Sequence, residues 1–279
     1  MKTYLDCYPC FSRQALEAAR MAGANEDQQY QILHVILDEM RRFEPTSTPP
    51  EMAYQIHRLV RQETGNTDPY LSVKESSTRQ ALALYPELKA MIAQADEPLE
   101  VAVRLSIAGN IIDLGMSREY DLEGTIERVL HQPFAIDDLI ALRLALSQAG
   151  QILYLADNAG ETVFDRLLIE TIGKPTTYVV KGGPILNDAT QSDALAAGLA
   201  PLVTIINNGS TAPGTIMALC SSEFCRLFAA AELIIAKGQA NYESLSGTAA
   251  PVFFLLQAKC PVIARDLGVP VKSIVLKQG

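Results

Sequence analysis

The sequence predicts an α/β protein: a helical N-terminal region followed by a layered domain built on a mostly parallel sheet. Two features of its texture carry that reading. Before about residue 149 the apolar residues recur at three- and four-residue spacing, the period of helices that bury one face. From Gln151 onward, short runs rich in Val, Ile, Leu, Tyr and Phe alternate with helical stretches, the pattern of parallel strands joined by crossover helices. The expected division is a helical domain over 1–148 and an α/β domain over 149–279.

Helices are expected over Arg13–Ala22, Glu26–Arg42, Pro50–Thr64, Leu99–Leu114, Glu123–Leu130 and Ile136–Gln148. In the second, Ile32, Val35, Ile36 and Met40 make one stripe. Thr46-Ser-Thr-Pro-Pro50 interrupts the pattern, and Pro50 suits the first turn of the next helix. Strands are expected over Ile152–Ala156, Thr177–Val180, Leu202–Ile206, Leu233–Ala236, Phe253–Leu256 and Ser273–Leu276. Helical stretches fill most intervals, Thr162–Ile172 and Thr215–Ala230 among them.

The composition narrows the function classes. Apolar residues are 48% and charged residues 20%, enough to bury a sizeable core. A net charge of -9 and a pI near 4.9 oppose binding to nucleic acid or an anionic membrane, so neither is expected as a partner. An anionic substrate then needs local positive charge or a metal. No stretch is long and apolar enough to span a bilayer, and the N-terminus lacks the apolar centre of a secretion signal. Five cysteines, an odd number, argue against a disulfide framework; the expected location is the cytoplasm. Oligomeric state is left open.

Polar groups gather at the carboxyl ends of the expected strands, the edge where open α/β sheets bind ligands. The first strand ends in Asp157-Asn158, followed by Glu161. The second ends in Lys181-Gly-Gly and leads to Asp188. The third ends in Asn207-Asn-Gly-Ser210, the fourth in Lys237-Gly-Gln-Ala-Asn-Tyr-Glu243, and the fifth leads to Lys259 and Cys260. One such tip is ordinary turn or cap chemistry; five along one crevice suggest a site. The oxygens of Asp157, Asn158 and Asp188 suit a hard divalent cation such as Mg²⁺ or Mn²⁺. Lysines, glycine-turn N–H groups and helix N-termini suit phosphate oxygens. In the helical half, Cys7-Tyr-Pro-Cys10 has the spacing of a metal or redox pair without further ligands nearby, and Ala108-Gly-Asn-Ile-Ile-Asp113 places Asn110 and Asp113 in an apolar helix where they need partners. His34, His57 and His131 are scattered without Ser or Cys partners.

Taken together and in this order, Cys7-Tyr-Pro-Cys10, Thr67-Asp-Pro-Tyr70 with Lys74, Ala108–Asp113, Asp157-Asn-Ala-Gly-Glu161, Lys181–Asp188 and Lys237–Glu243 resemble the damage-control phosphatase family, formerly domain of unknown function 89, and in particular its stand-alone microbial branch with an N-terminal CxxC. The resemblance spans nearly the whole chain. It implies a helical region packed on a Rossmann-like α/β/α core and divalent-metal-dependent hydrolysis of phosphate monoesters of small metabolites. It also implies Asp157, Asn158 and Asp188 as metal ligands, Lys237, Lys181 and Lys259 as phosphate-binding groups, and Gly238, Gln239, Asn241 and Glu243 as pocket residues, with Asn110 and Asp113 beside them.

The expected activity is therefore a phosphatase using Mg²⁺, Mn²⁺, Co²⁺ or Ni²⁺ on a small phosphorylated metabolite, with attack by water or by the Asp157 carboxylate. The rivals are a carboxyl methyltransferase using S-adenosylmethionine, which the lack of a GxGxxG loop after the first strand disfavours, and a non-catalytic metal- or metabolite-binding module.

Overall fold

The computed structural model describes residues 1–44, 46–111 and 122–279. The described elements run α1 (Cys7–Met21), α2 (Glu26–Met40), α3 (Pro49–Thr64), α4 (Leu71–Gln94), α5 (Pro98–Ile111), α6 (Leu122–His131), β1 (Ile136–Asp137), α7 (Leu139–Gln148), β2 (Ile152–Leu155), α8 (Thr162–Ile172), β3 (Thr176–Val180), α9 (Gln191–Ala196), β4 (Thr204–Asn207), α10 (Ser222–Ala230), β5 (Ile234–Lys237), α11 (Gly238–Leu245), β6 (Val252–Gln257), α12 (Pro261–Leu267) and β7 (Ile274–Gln278). The mixed α/β architecture expected from the sequence is the one observed.

The strands form one sheet in the order β1-β7-β6-β5-β2-β3-β4, parallel throughout except for the antiparallel pair β6–β7. Both faces are covered, and the strand sequences show why. In β2 the side chains of Ile152 and Tyr154 enter one core, with α4, α5, α7 and α8, while Leu153 and Leu155 enter another, with α10, α11 and α12. A strand buried on both faces reads as a continuous apolar run, as Ile152–Leu155 does. A third core, around Ala15, Ile32, Ile36 and Ile56, joins α1, α2 and α3, and Val262 of α12 reaches into it.

Several element boundaries differ from those expected. Ile136 and Asp137 pair with β7, so the last helix of the N-terminal half starts only at Leu139. The expected helix Thr215–Ala230 is a short 3₁₀ turn, Met217–Leu219, and then α10, because Ser221 caps a new start by accepting from the Phe224 N–H at 3.2 Å. Helix α4 has no counterpart in the sequence reading: its apolar positions are diluted by Ser76, Ser77 and Thr78, and it carries Pro86 in its interior. Helix α1 begins at Cys7, which puts both cysteines of the CxxC pair in its first turn.

The chain runs outward from β2 through β3 to β4, then returns to lay β5 on the other side of β2. The carboxyl ends of β2 and β5 therefore flank the topological switch point, where crossover connections leave in opposite directions and open a crevice. Asp157 follows β2, and Lys237 ends β5.

Candidate active site

The site is assembled by backbone pairing between segments distant in sequence. Asn158 and Asp188 form an isolated antiparallel bridge; the Ala189 N–H donates to the Asp157 carbonyl at 2.7 Å and the Ala159 N–H to the Asn187 carbonyl at 2.8 Å. Asp157, Asn158 and Asp188 are thereby held side by side. The turn that delivers Asp188 includes Leu186 at φ 46°, a left-handed conformation uncommon for leucine, and Leu186 faces the same cleft.

That cleft encloses about 400 Å³. Asp157, Asn158 and Asp188 stand in it beside Gln239, Glu243 and Lys259, while Cys7, Cys10, Phe11 and Pro50 supply the wall from the helical half. Asp157 is oriented by two carboxamides: Asn110 Nδ2 donates to its Oδ2 at 2.7 Å and Asn158 Nδ2 at 3.1 Å. The same two amides reach Glu161 Oε2 at 3.0 and 3.1 Å. Gly238, at φ +78°, lies flat against the Asp157 carboxylate; any Cβ there would collide with Oδ2.

Behind the cleft lies a closed ionic network. Lys237 is fully buried, and its ammonium donates to Glu161 Oε1 at 2.6 Å, Asp165 Oδ1 at 2.6 Å and the Ser106 carbonyl at 2.9 Å. Asp165 also accepts from the Tyr154 hydroxyl at 2.7 Å, the Tyr178 hydroxyl at 2.7 Å and the Ser106 hydroxyl at 3.1 Å. Burial pulls the Lys237 ammonium toward neutrality, but Asp165 and Glu161 outweigh it and leave the group more basic than a free lysine.

Burial makes the carboxyls of Asp157, Asp188 and, in the back network, Asp165 resist ionisation. Burial, with Glu161 and Asp188 adding like charge, pushes Asp157 up to about 8 against the pull of Lys259 and Lys181. Burial likewise raises Asp188 to about 6, although Lys181 Nζ stands 3.4 Å from its Oδ2. Asp188 Oδ2 is nonetheless a buried oxygen without a hydrogen bond, and so is Asn110 Oδ1. Buried acceptors left without a donor, next to carboxylates that resist ionisation, have the chemistry to accept a cation.

Residues 3–275 match the Damage-control phosphatase ARMT1-like domain. The chain belongs to the damage-control phosphatase family. It is 35% identical to damage-control phosphatase PH1575 of Pyrococcus horikoshii, over 99% of this chain and 97% of that protein. It is also 35% identical to a damage-control phosphatase of Archaeoglobus fulgidus, over 97% of each, and 36% identical to the uncharacterized protein MJ0202 of Methanocaldococcus jannaschii, over 97% of this chain and 93% of that one. The crystal structure of the Pyrococcus horikoshii protein, described as a DUF89 family protein, superposes with a TM-score of 0.92 at 34% identity, covering 100% of this chain and 99% of that one.

Within this family frame, the residues singled out from sequence fall into three groups. Asp157, Asn158, Asp188, Glu243 and Lys259 line the cleft; Asn110, Glu161 and Gly238 touch Asp157 or Asn158 from behind. A second group is placed differently from the expectation of direct phosphate contact. Lys237 has all three ammonium protons committed to protein acceptors, so it has none for a phosphate. Lys181 is buried behind Asp188 and donates to the Gly214 carbonyl. Asn241 spends its amide on the Ala156 and Lys237 carbonyls, at 3.2 and 2.8 Å, and its oxygen on the Thr215 hydroxyl at 2.7 Å, tying β2 to α11. Asp113 lies outside the described residues.

Asp165 is the residue that sequence reasoning missed. Its signal was an acid at a position flanked by Val163, Phe164, Leu167 and Leu168, on the face that α8 buries. No helix among the described residues is long and apolar enough to cross a membrane.

Proposed function

We propose that the protein is a divalent-cation-dependent phosphatase that hydrolyses phosphate monoesters of small metabolites, sugar phosphates, nucleotides or cofactor-related phosphates, in metabolite damage control. The observation that carries this reading is the joining of Asp157-Asn158 and Asp188, 30 positions apart, at one end of a cleft located at the switch point of the sheet.

The donor set fits a hard cation. Two carboxylates and a carboxamide provide oxygens only, and Asp188 Oδ2 is buried with no hydrogen bond to satisfy it. Asp157, Asn158 and Asp188 would hold the ion, with Mg²⁺, Mn²⁺, Co²⁺ or Ni²⁺ as candidates. When bound it would act as a Lewis acid, neutralising phosphoryl oxygens and lowering the barrier to attack at phosphorus.

The chain's own groups do the rest. Asn110 and Asn158 hold Asp157 by one oxygen, and among the described residues the other oxygen has no side-chain donor. Lys259, exposed beside the acids, supplies positive charge where an incoming phosphate passes. Lys237 holds Glu161 in place, and Glu161 in turn fixes both amides. The apolar wall from α1 and α3 screens the ester from water.

The test is a turnover screen over sugar phosphates, nucleotides and cofactor phosphates with each divalent ion. Cation-dependent release of inorganic phosphate is expected, with a loss of roughly 10²–10³-fold or more in Asp157→Ala and Asp188→Ala. Undiminished activity in both variants would defeat the site assignment.

A further inference from the structure

The acids that line the cleft divide by what already engages them. Asp6 is exposed at the rim and paired with Arg265 at 3.2 Å. Asp157 receives two amide donors on one oxygen, and Asp188 faces Lys181. Glu243 differs. Only 8% exposed, it accepts from Gln239 Nε2 on Oε1 at 2.9 Å, and among the described residues no lysine, arginine or histidine pairs with it. Its location is set by α11: Gly238 presses on Asp157, and Glu243 stands five residues further along, about 7.5 Å down the helix axis at 1.5 Å per residue. Glu243 lines the same cleft as the proposed cation ligands Asp157, Asn158 and Asp188 without being one of them.

We propose that Glu243 is the general acid of this cleft, protonating the ester oxygen as it leaves phosphorus. The inference rests on the phosphatase reading above. The phosphorus–oxygen ester bond breaks with its electron pair on oxygen, and that oxygen takes the Glu243 proton to depart as a neutral alcohol. Phosphorus gains the oxygen of water, whose released proton passes to solvent, and the Glu243 carboxylate regains a proton from solvent before the next turnover.

The surroundings supply a carboxyl that is still protonated near neutrality. Burial pushes Glu243 up to about 7, and Asp266 of α12 adds to the rise, while Gln239 and the Met1 ammonium oppose it. That ammonium donates to the Glu243 main-chain carbonyl at 2.8 Å. On the α1 side the facing titratable group is Cys7, whose thiol burial and the Glu243 charge push upward. An acid poised near the working pH is the efficient choice for this step.

The experiment compares wild type with Glu243→Gln, which keeps the side-chain volume, at saturating Mg²⁺ or Mn²⁺ on two substrates. One is p-nitrophenyl phosphate, whose leaving group departs readily as an anion; the other is an alkyl phosphate, whose leaving group needs a proton. On the alkyl ester kcat is expected to fall roughly 10²–10⁴-fold, with a loss at least about tenfold smaller on the aryl ester. Equal losses on both, or a change confined to KM, overturn the inference while leaving the phosphatase reading intact. Absence of turnover of either ester by wild type overturns both. Should the variant not fold, wild type alone decides. Alkyl-ester kcat should fall as pH rises through the Glu243 ionisation while aryl-ester kcat does not; parallel profiles overturn the proposal.

Discussion

Replacing Lys237 by methionine should cost about 3–5 kcal/mol of stability, the usual penalty for removing one partner of a buried ion pair. The geometry puts it toward the upper end. The ammonium is fully buried and makes two bonds to carboxylates at 2.6 Å and one to a carbonyl at 2.9 Å. Each bond to a charged acceptor contributes about 1.5–3 kcal/mol and the carbonyl bond about 1 kcal/mol. Methionine returns part of this by burying its own apolar length, but it leaves Glu161 and Asp165 facing each other without a counter-charge. A domain of this kind has about 5–15 kcal/mol in all, so the variant should fold weakly rather than not at all.

The pH dependence identifies the cause. With Lys237 gone, Asp165, which burial already raises, loses its chief opposing cation and is neutral in the fold at pH values where the unfolded chain has ionised it. The stability deficit should then shrink as pH falls from about 7 toward 4 and vanish below the unfolded carboxylate range. Urea unfolding of both proteins at pH 7.5, 6 and 5 measures it. Adding Glu161→Gln and Asp165→Asn to Lys237→Met should recover most of the stability, since a neutral network no longer demands a cation. A loss below about 1 kcal/mol at pH 7.5, or a loss that does not change with pH, would show that the ammonium is not the group holding the two acids.

Gly238→Ala should lower kcat far more than it lowers stability, because its Cβ must displace the Asp157 carboxylate while the left-handed backbone itself costs only about 1–2 kcal/mol; kinetics and thermal unfolding on the same preparation separate the two. A divalent cation at about 100 times its Kd should stabilise wild type by about 2.7 kcal/mol and Asp188→Ala by much less, with chelation reversing the gain in a thermal-shift assay. The ion competes with protons on Asp157, held near 8, and Asp188, held near 6, so its apparent affinity should rise between pH 6 and pH 8. His57 is pushed down to about 3 by burial and by Arg61, so its contribution to stability is complete above pH 6.5 and is lost as pH falls through the window from 6.5 to 3; His57→Phe should reduce the loss measured between pH 7 and pH 5 by about 2 kcal/mol.

What the sequence made legible follows from where its signals are local. A strand buried on both faces is a short apolar run, and a residue at its tip is the next polar one, so Asp157-Asn158 could be placed directly. The joining of Asp188 to that pair depends on a turn and a two-residue bridge with no periodicity of their own. Lys237 shows the limit of reading tips. Its position after an apolar run matches a phosphate-binding lysine, but its side chain points into the core, toward an acid that belongs to a helix face rather than to a tip. Asp165 was passed over for the same reason: one carboxylate in an apolar helix stripe reads as a flaw in the pattern until its four donors are in view. Helix α4 was lost because its buried positions include Lys74, Ser77 and Thr78, which break the apolar stripe; Lys74 is matched by Asp68 at 2.7 Å and Asp193 at 3.6 Å.

The charge balance of the site links fold to proposed chemistry. Around Asp157, the buried carboxylates Asp157, Glu161, Asp165 and Asp188 stand against the buried ammoniums Lys181 and Lys237, with buried Glu243 further along the cleft and Lys74 paired to Asp68 and Asp193. If those four ionise, two negative charges are uncompensated in a low-dielectric interior, a state that costs several kcal/mol per ion. The excess divides evenly: one ammonium, Lys237, lies between Glu161 and Asp165 at the back, and one, Lys181, stands beside Asp188 at the front. Protons or a bound cation would offset the front charge, which exposed Lys259 also opposes. Protonated carboxyls would donate hydrogen bonds to a phosphate but would not cancel the charge of a phosphate dianion. A divalent ion held by Asp157, Asn158 and Asp188 would supply the positive charge that a phosphate dianion requires. Because Glu161, held by Lys237, fixes the amides of Asn110 and Asn158 that orient Asp157, weakening the back network should loosen cation binding even in a variant whose Asp157, Asn158 and Asp188 are untouched.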